Sequence, residues 1–137
     1  MPFLNAMNEY MREDPDNAHA AECQAMIDDL NERLDRKAYE GAKLYYKMED
    51  YLASRVALRN VIKDDSDNIY REDILYYIAM SSFKYAELSV PSKQKERYLV
   101  FVDDYLNFIG EYSESKYVNS LAGPYSKAKK YLEKRGL

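Results

Sequence analysis

Three times along this chain an acidic, turn-forming phrase separates one helical apolar pattern from the next. Glu13 Asp14 Pro15 Asp16 Asn17 Ala18 His19 is echoed by Asp64 Asp65 Ser66 Asp67 Asn68 Ile69 Tyr70, and again by Glu111 Tyr112 Ser113 Glu114 Ser115 Lys116 Tyr117. The steps from Asn17 to Asn68 and from Asn68 to Ser115 are 51 and 47 residues. Repetition at this period places the chain among arrays of helical hairpins, in which each unit buries its apolar face against its neighbours. A chain built this way works through the surface that it presents.

The segments between the corners fit that frame. Leu4, Met7, Tyr10 and Met11 give residues 3–12 a helical stripe, read as the last part of a hairpin. Asn17 or Asp16 caps the next helix, with Pro15 suited to the turn before it. Ala18, Ala21, Ala25, Met26, Ile27, Leu30 and Leu34 carry the stripe onward, and Tyr39, Ala42, Lys43, Tyr45 and Tyr46 prolong it. Two readings stand for 16–48: one fused helix, or two helices broken near Asp35 to Lys37. Fusion is the reading adopted. A tight turn at Glu49 Asp50 Tyr51 leads to an antiparallel helix through Leu52, Ala53, Val56, Ala57, Val61 and Ile62, so that 36–63 makes one hairpin.

Asn68 is expected to start a helix through Ala86, followed by the loop Ser89 Val90 Pro91 Ser92. Lys93 to Ile109 comes next, with Tyr98, Phe101, Val102, Tyr105, Leu106 and Ile109 facing inward and Gly110 as the stop. A last helix covers 119–134, which Gly123 Pro124 should kink or delay. No strand pattern is present. The expectation is an all-α, tetratricopeptide-like right-handed α-solenoid of about six helical segments, a single domain over 1–137 and a fragment of a longer array.

Composition narrows the function. With 47% hydrophobic and 32% charged residues the chain is globular in type, and no apolar run approaches membrane-spanning length. Nor does the start, Met1 Pro2 Phe3 Leu4 and then polar residues, read as a secretory signal. The net charge of -4 argues against nucleic acid, which demands a basic face. The one basic cluster, Lys127, Lys129, Lys130, Lys134 and Arg135, reads as a complement to the C-terminal dipole of the last helix. Fifteen tyrosines and no tryptophan suit a thin core whose rings keep one polar edge wet.

Candidate chemistry is sparse. His19 and Cys23 share a helix face at a metal-ligand spacing, but no further histidine or cysteine exists to complete a site. His19 also fills the slot held by Tyr70 and Tyr117 in the other corners, which points to packing. Asp28 Asp29, Asp64 Asp65 with Asp67, and Asp103 Asp104 read as solvated helix ends, because the loop at Asp64 lacks the glycine and distal glutamate of a calcium site. No glycine-bracketed serine and no glycine-rich phosphate loop occurs. The expectation is no enzyme, no catalytic residue, no metal and no cofactor. Candidate partner contacts are Tyr45, Tyr46, Tyr76 and Tyr77: neighbours on a helix diverge by about 100 degrees, so each pair can bury one ring and offer the other.

The hairpin 36–63, with small Ala42, Ala53 and Ala57 and large Tyr39, Tyr45 and Tyr46, resembles the tetratricopeptide repeat with longer helices and loops. Three stretches carry a closer likeness: Lys37 Ala38 Tyr39 Glu40 Gly41 Ala42 Lys43 Leu44 Tyr45 Tyr46; the corner Asp64 to Tyr70 with Arg71 Glu72 Asp73; and Ser81 Ser82 Phe83 Lys84 Tyr85 Ala86 Glu87. With Lys95 Glu96 Arg97 Tyr98 they resemble the outer-membrane assembly lipoprotein family BamD over about residues 3 to 134, its C-terminal half. The chain departs from that family's corner, where an aromatic and a proline are usual, at Asp65 and Ser66 and, beside Tyr112, at Ser113. The resemblance implies a non-enzymatic scaffold at the periplasmic face of the outer membrane, anchored by lipid upstream of this chain, that docks the periplasmic domains of the barrel-forming assembly subunit. The alternative is a generic tetratricopeptide adaptor for peptide tails or cell-envelope proteins.

Overall fold

A computed structural model describes residues 5–6 and 19–136. Within 19–136 lie five helices: α1 (Ala20–Lys47), α2 (Tyr51–Asp64), α3 (Arg71–Glu87), α4 (Pro91–Glu111) and α5 (Val118–Glu133). No strand occurs among the described residues. The first corner up to Ala18, its cap, and the helix expected over 3–12 lie outside them, apart from helical Asn5 and Ala6. The chain forms two compact units, residues 1–37 and 38–137.

The fused alternative holds for 20–47, where no proline interrupts the amide ladder and Gly41 meets nothing within 4 Å of a would-be Cβ. In the first unit the helix is laced one turn apart by Gln24 to Asp28 at 2.9 Å, Arg33 to Asp29 at 3.0 Å and Arg36 to Glu32 at 3.4 Å. Such pairs contribute a few tenths of a kcal/mol each. The expected stripe is narrower than its sequence. Ile27 is buried and Leu30 half-buried, while Ala21, Ala25, Met26 and Leu34 are exposed.

In the second unit α1 ends on a left-handed residue, Glu49, at φ 62°. The Glu49 amide donates to the Tyr46 carbonyl and the Asp50 amide to that of Tyr45, which satisfies the last carbonyls of the helix. Asp50 then caps α2, its Oδ1 accepting from the Ala53 amide at 3.2 Å. This short connection leads straight into α2, whose Leu58 shares a core with Tyr39 and Ala42 of α1.

α3 is the centre of the unit and packs against α2, α4 and α5. Its Ile74 and Ile78 join Tyr39, Ala42 and Leu58 in one core, while Ala79, Met80, Phe83 and Ala86 join Tyr98, Phe101, Phe108, Leu121, Ala128 and Leu132 in another. Service on both sides explains why every residue from Ile78 to Phe83 is buried. Small Ala79, Ser81 and Ser82 let the neighbours close in, and the two hydroxyls inside are paired. Ser81 bonds Ser54 of α2 at 2.8 Å, and Ser82 donates to the Ala79 carbonyl at 2.9 Å.

Several expected positions shift. On α2 the buried residues are Ser54 and Leu58, whereas Leu52 and Val56 are about half exposed. On α4 Phe108, fully buried, takes the place expected for Leu106, which falls on the far side of the face centred on Phe101 and Phe108. Gly110 lies inside the last turn of α4, and the helix stops at Tyr112, whose amide closes on the Phe108 carbonyl. The last helix is not delayed: α5 starts at Val118 and runs through Pro124. Lys127 does not act at the C-terminal end of α5 but reaches Glu87 of α3 at 2.6 Å, which holds the Glu87 carboxyl below its ordinary range.

The second and third corners are one structure repeated 47 residues on. The amides of Asp65, Asn68, Arg71 and Ile74 donate to the carbonyls of Val61, Asp65, Asn68 and Tyr70. Those of Tyr112, Ser115, Val118 and Leu121 donate to Phe108, Tyr112, Ser115 and Tyr117. In each corner a side-chain oxygen, Asn68 Oδ1 or Ser115 Oγ, also accepts the amide two residues on, at 2.8 and 3.1 Å. Asn68 therefore shapes the turn and does not start the helix, which begins at Arg71.

Candidate interaction groove

α2 and α4 flank α3, and between them opens a cleft of about 510 Å³. Ile62 of α2 with Leu75 and Ile78 of α3 form an apolar floor; Arg59, Asn60 and Lys63 line one wall, Asp104 and Asn107 the other. The wall on α2 follows from spacing. Arg55, Arg59 and Lys63 recur every fourth residue and so lie along one face of the helix.

Arg55 ties the two walls together. Its Nε donates to Asp104 Oδ2 at 2.8 Å and its Nη2 to Asp104 Oδ1 at 3.1 Å, a planar fork on a carboxylate that is 7% exposed. The expectation that Asp103 and Asp104 are solvated ends of a helix is corrected here. Both sit within α4, Asp103 outward and Asp104 turned in toward Arg55. Asp28 and Asp29 likewise lie inside α1, exposed.

A second tie joins the corners. Arg71 grips Glu111 through Nε at 2.5 Å and Nη2 at 3.0 Å, and its Nη1 donates to the Ser66 carbonyl at 2.9 Å. That guanidinium holds the Glu111 carboxyl below its ordinary range. Alongside, Ser115 Oγ donates to Glu72 at 2.7 Å and the Tyr117 hydroxyl to Asp73. Burial first, and the bond to Asp73 second, push the Tyr117 hydroxyl well above the usual phenol range, so it stays a donor.

The tyrosines proposed as contacts divide. Tyr46, Tyr76 and Tyr77 belong to a connected aromatic ladder. Tyr46 meets Tyr51 and Tyr77 edge-on at 5.4 and 5.0 Å, and Tyr77 meets Tyr76 at 4.9 Å with Lys43 Nζ 4.7 Å from its ring. Tyr76 stacks on Tyr117 at 3.9 Å, as Tyr39 stacks on Tyr70 at 5.0 Å, so each corner tyrosine lies flat on a ring of an earlier helix. Burial pushes the Tyr46 hydroxyl up to about 12. Tyr45 stands apart, 42% exposed on the flank of α1.

His19 does not share the burial of Tyr70 and Tyr117. Its side chain is 66% exposed, with Nδ1 3.3 Å from Glu22 one turn on. Cys23 is half-buried. Among the described residues no three His, Cys, Asp or Glu side chains group to hold a metal, and no helix is long and apolar enough to cross a membrane. Sequence reasoning missed Arg55, Arg59, Asn60, Lys63 and Asn107. The available signal was that between Asp50 and Asp64 α2 carries three cations and no acid, in a chain of net charge -4.

No protein-family model and no curated protein sequence matches this chain.

Proposed function

We propose that this chain is a non-enzymatic interaction scaffold, a tetratricopeptide-like, right-handed array of helical hairpins that acts by positioning a protein partner. The observation that supports the reading is the corner whose backbone hydrogen bonds repeat at 47 residues, as a repeat array requires, beside an open, mixed apolar and polar cleft along α3. Concave surfaces of such arrays bind by complementarity, with no bond made or broken.

The finer reading rests on the residues that resemble BamD. On it, the chain is the part of a periplasmic, lipid-anchored scaffold that docks the periplasmic domains of the barrel-forming subunit, with Tyr45 as an exposed contact. A pull-down of the chain against those soluble domains tests this, and an absence of binding at about 50 μM, a free energy near -6 kcal/mol, rejects it. The polar walls of the cleft favour the second reading, an adaptor for peptide segments, which survives that result.

A further inference from the structure

The charge inside the cleft is unbalanced. Arg55 is consumed by Asp104. Arg59 and Lys63, one and two turns further along the same face, are exposed and make no ion pair among the described residues. Beside them Asn60 and Asn107 offer amide groups from opposite walls, each able to donate and accept as a peptide backbone requires. Below lie Ile62, Leu75 and Ile78.

A second cleft gives the contrast. It is lined by apolar Met48, Leu52, Leu88 and Val90 and by the acids Glu49 and Asp50, and its one lining cation, Arg97, is already engaged. Arg97 donates to Ser89 Oγ at 2.7 Å and stacks 4.2 Å over Tyr85. Its acids disfavour an anionic occupant, whereas Arg59 and Lys63 of the first cleft favour one.

We infer that the cleft between α2 and α4 receives an extended acidic segment of a partner protein, with carboxylates on Arg59 and Lys63, backbone on Asn60 and Asn107, and an apolar side chain on Ile62, Leu75 and Ile78. This rests on the scaffold reading and adds the chemistry of the segment. The Arg55–Asp104 crossbar bounds the site, because it ties the two walls together and neutralises Asp104, the one carboxylate among the lining residues.

The test uses the whole chain and a fluorescein-labelled probe, a short peptide alternating Asp-Glu pairs with leucine, with two controls: lysine for the acids, and serine for the leucines. The expected result is binding of the acidic probe with Kd on the order of 10–100 μM. The double variant Arg59→Glu, Lys63→Glu should weaken it at least tenfold, and the serine control should bind several-fold more weakly. Amide shifts at Asn60 and Asn107 should mark the site. Because both cations are exposed and make no ion pair among the described residues, the double variant should keep the parent's circular dichroism and thermal midpoint, which checks its folding. Failure of the acidic probe to bind, equal binding of the lysine probe, or indifference to the charge reversal overturns the inference. The scaffold reading is judged apart from it by the pull-down: capture of the subunit domains by a chain that ignores the acidic probe removes this inference alone.

Discussion

The groove and the corner are each crossed by an arginine that grips a carboxylate through two nitrogens, and the two ties differ in burial more than in geometry. At the groove, Arg55 and Asp104 leave 21% and 6% of their side chains exposed; at the corner, Arg71 and Glu111 leave 30% and 40%. Water screens the second pair and leaves the first nearly dry. The same chemistry should therefore be a fixed strut in one place and a loose clasp in the other. At the corner the more strongly held contact is the half-buried Tyr117 hydroxyl on Asp73.

The sharpest way to break this comparison is Arg55→Met, which strands the Asp104 carboxylate in the core and should cost about 3–5 kcal/mol in urea unfolding. Adding Asp104→Leu should restore most of that loss, since no buried charge then remains. A single variant within about 1 kcal/mol of the parent would show that water reaches Asp104. Next in size comes Tyr117→Phe, which keeps the stack on Tyr76 and removes one bond to a carboxylate. It should cost about 1.5–3 kcal/mol by the same measurement.

Arg71→Met should cost less than about 1 kcal/mol, and the difference should shrink further in molar salt. A loss as large as that of Arg55→Met would erase the distinction between strut and clasp. Acid gives the smallest and most selective effect. Glu111 is depressed in the folded chain, so its contribution is present above its ordinary value of 4.5 and is lost as pH falls through the depressed one. The stability gap between parent and Arg71→Met, followed by thermal melting from neutral pH downward, should hold above 4.5 and close below it.

Much of the fold was legible because local chemistry acts within a few residues. Apolar periods gave the helices α2 to α5 to within a few positions, and the turn residues gave the repeated corner. Glu49 escaped notice because a left-handed glutamate carries no sequence signal; the hydrogen bonds of the chain reversal impose it. The site was less legible. Arg59 and Lys63 look like any solvated helix face until α3 and α4 supply a floor and an opposite wall, and the tyrosine pairs looked like contacts until stacking partners from distant helices claimed three of the four.

The sequence by itself determined that the described chain is helical, where its second and third corners fall and that its core is rich in tyrosine, since all of these follow from residue type and spacing. Only the tertiary structure decided which side of each helix is covered. A charge such as Asp104 is turned inward only because Arg55, 49 residues earlier, arrives to neutralise it. No local rule reaches across that separation, and the cleft exists only where such contacts set two walls apart.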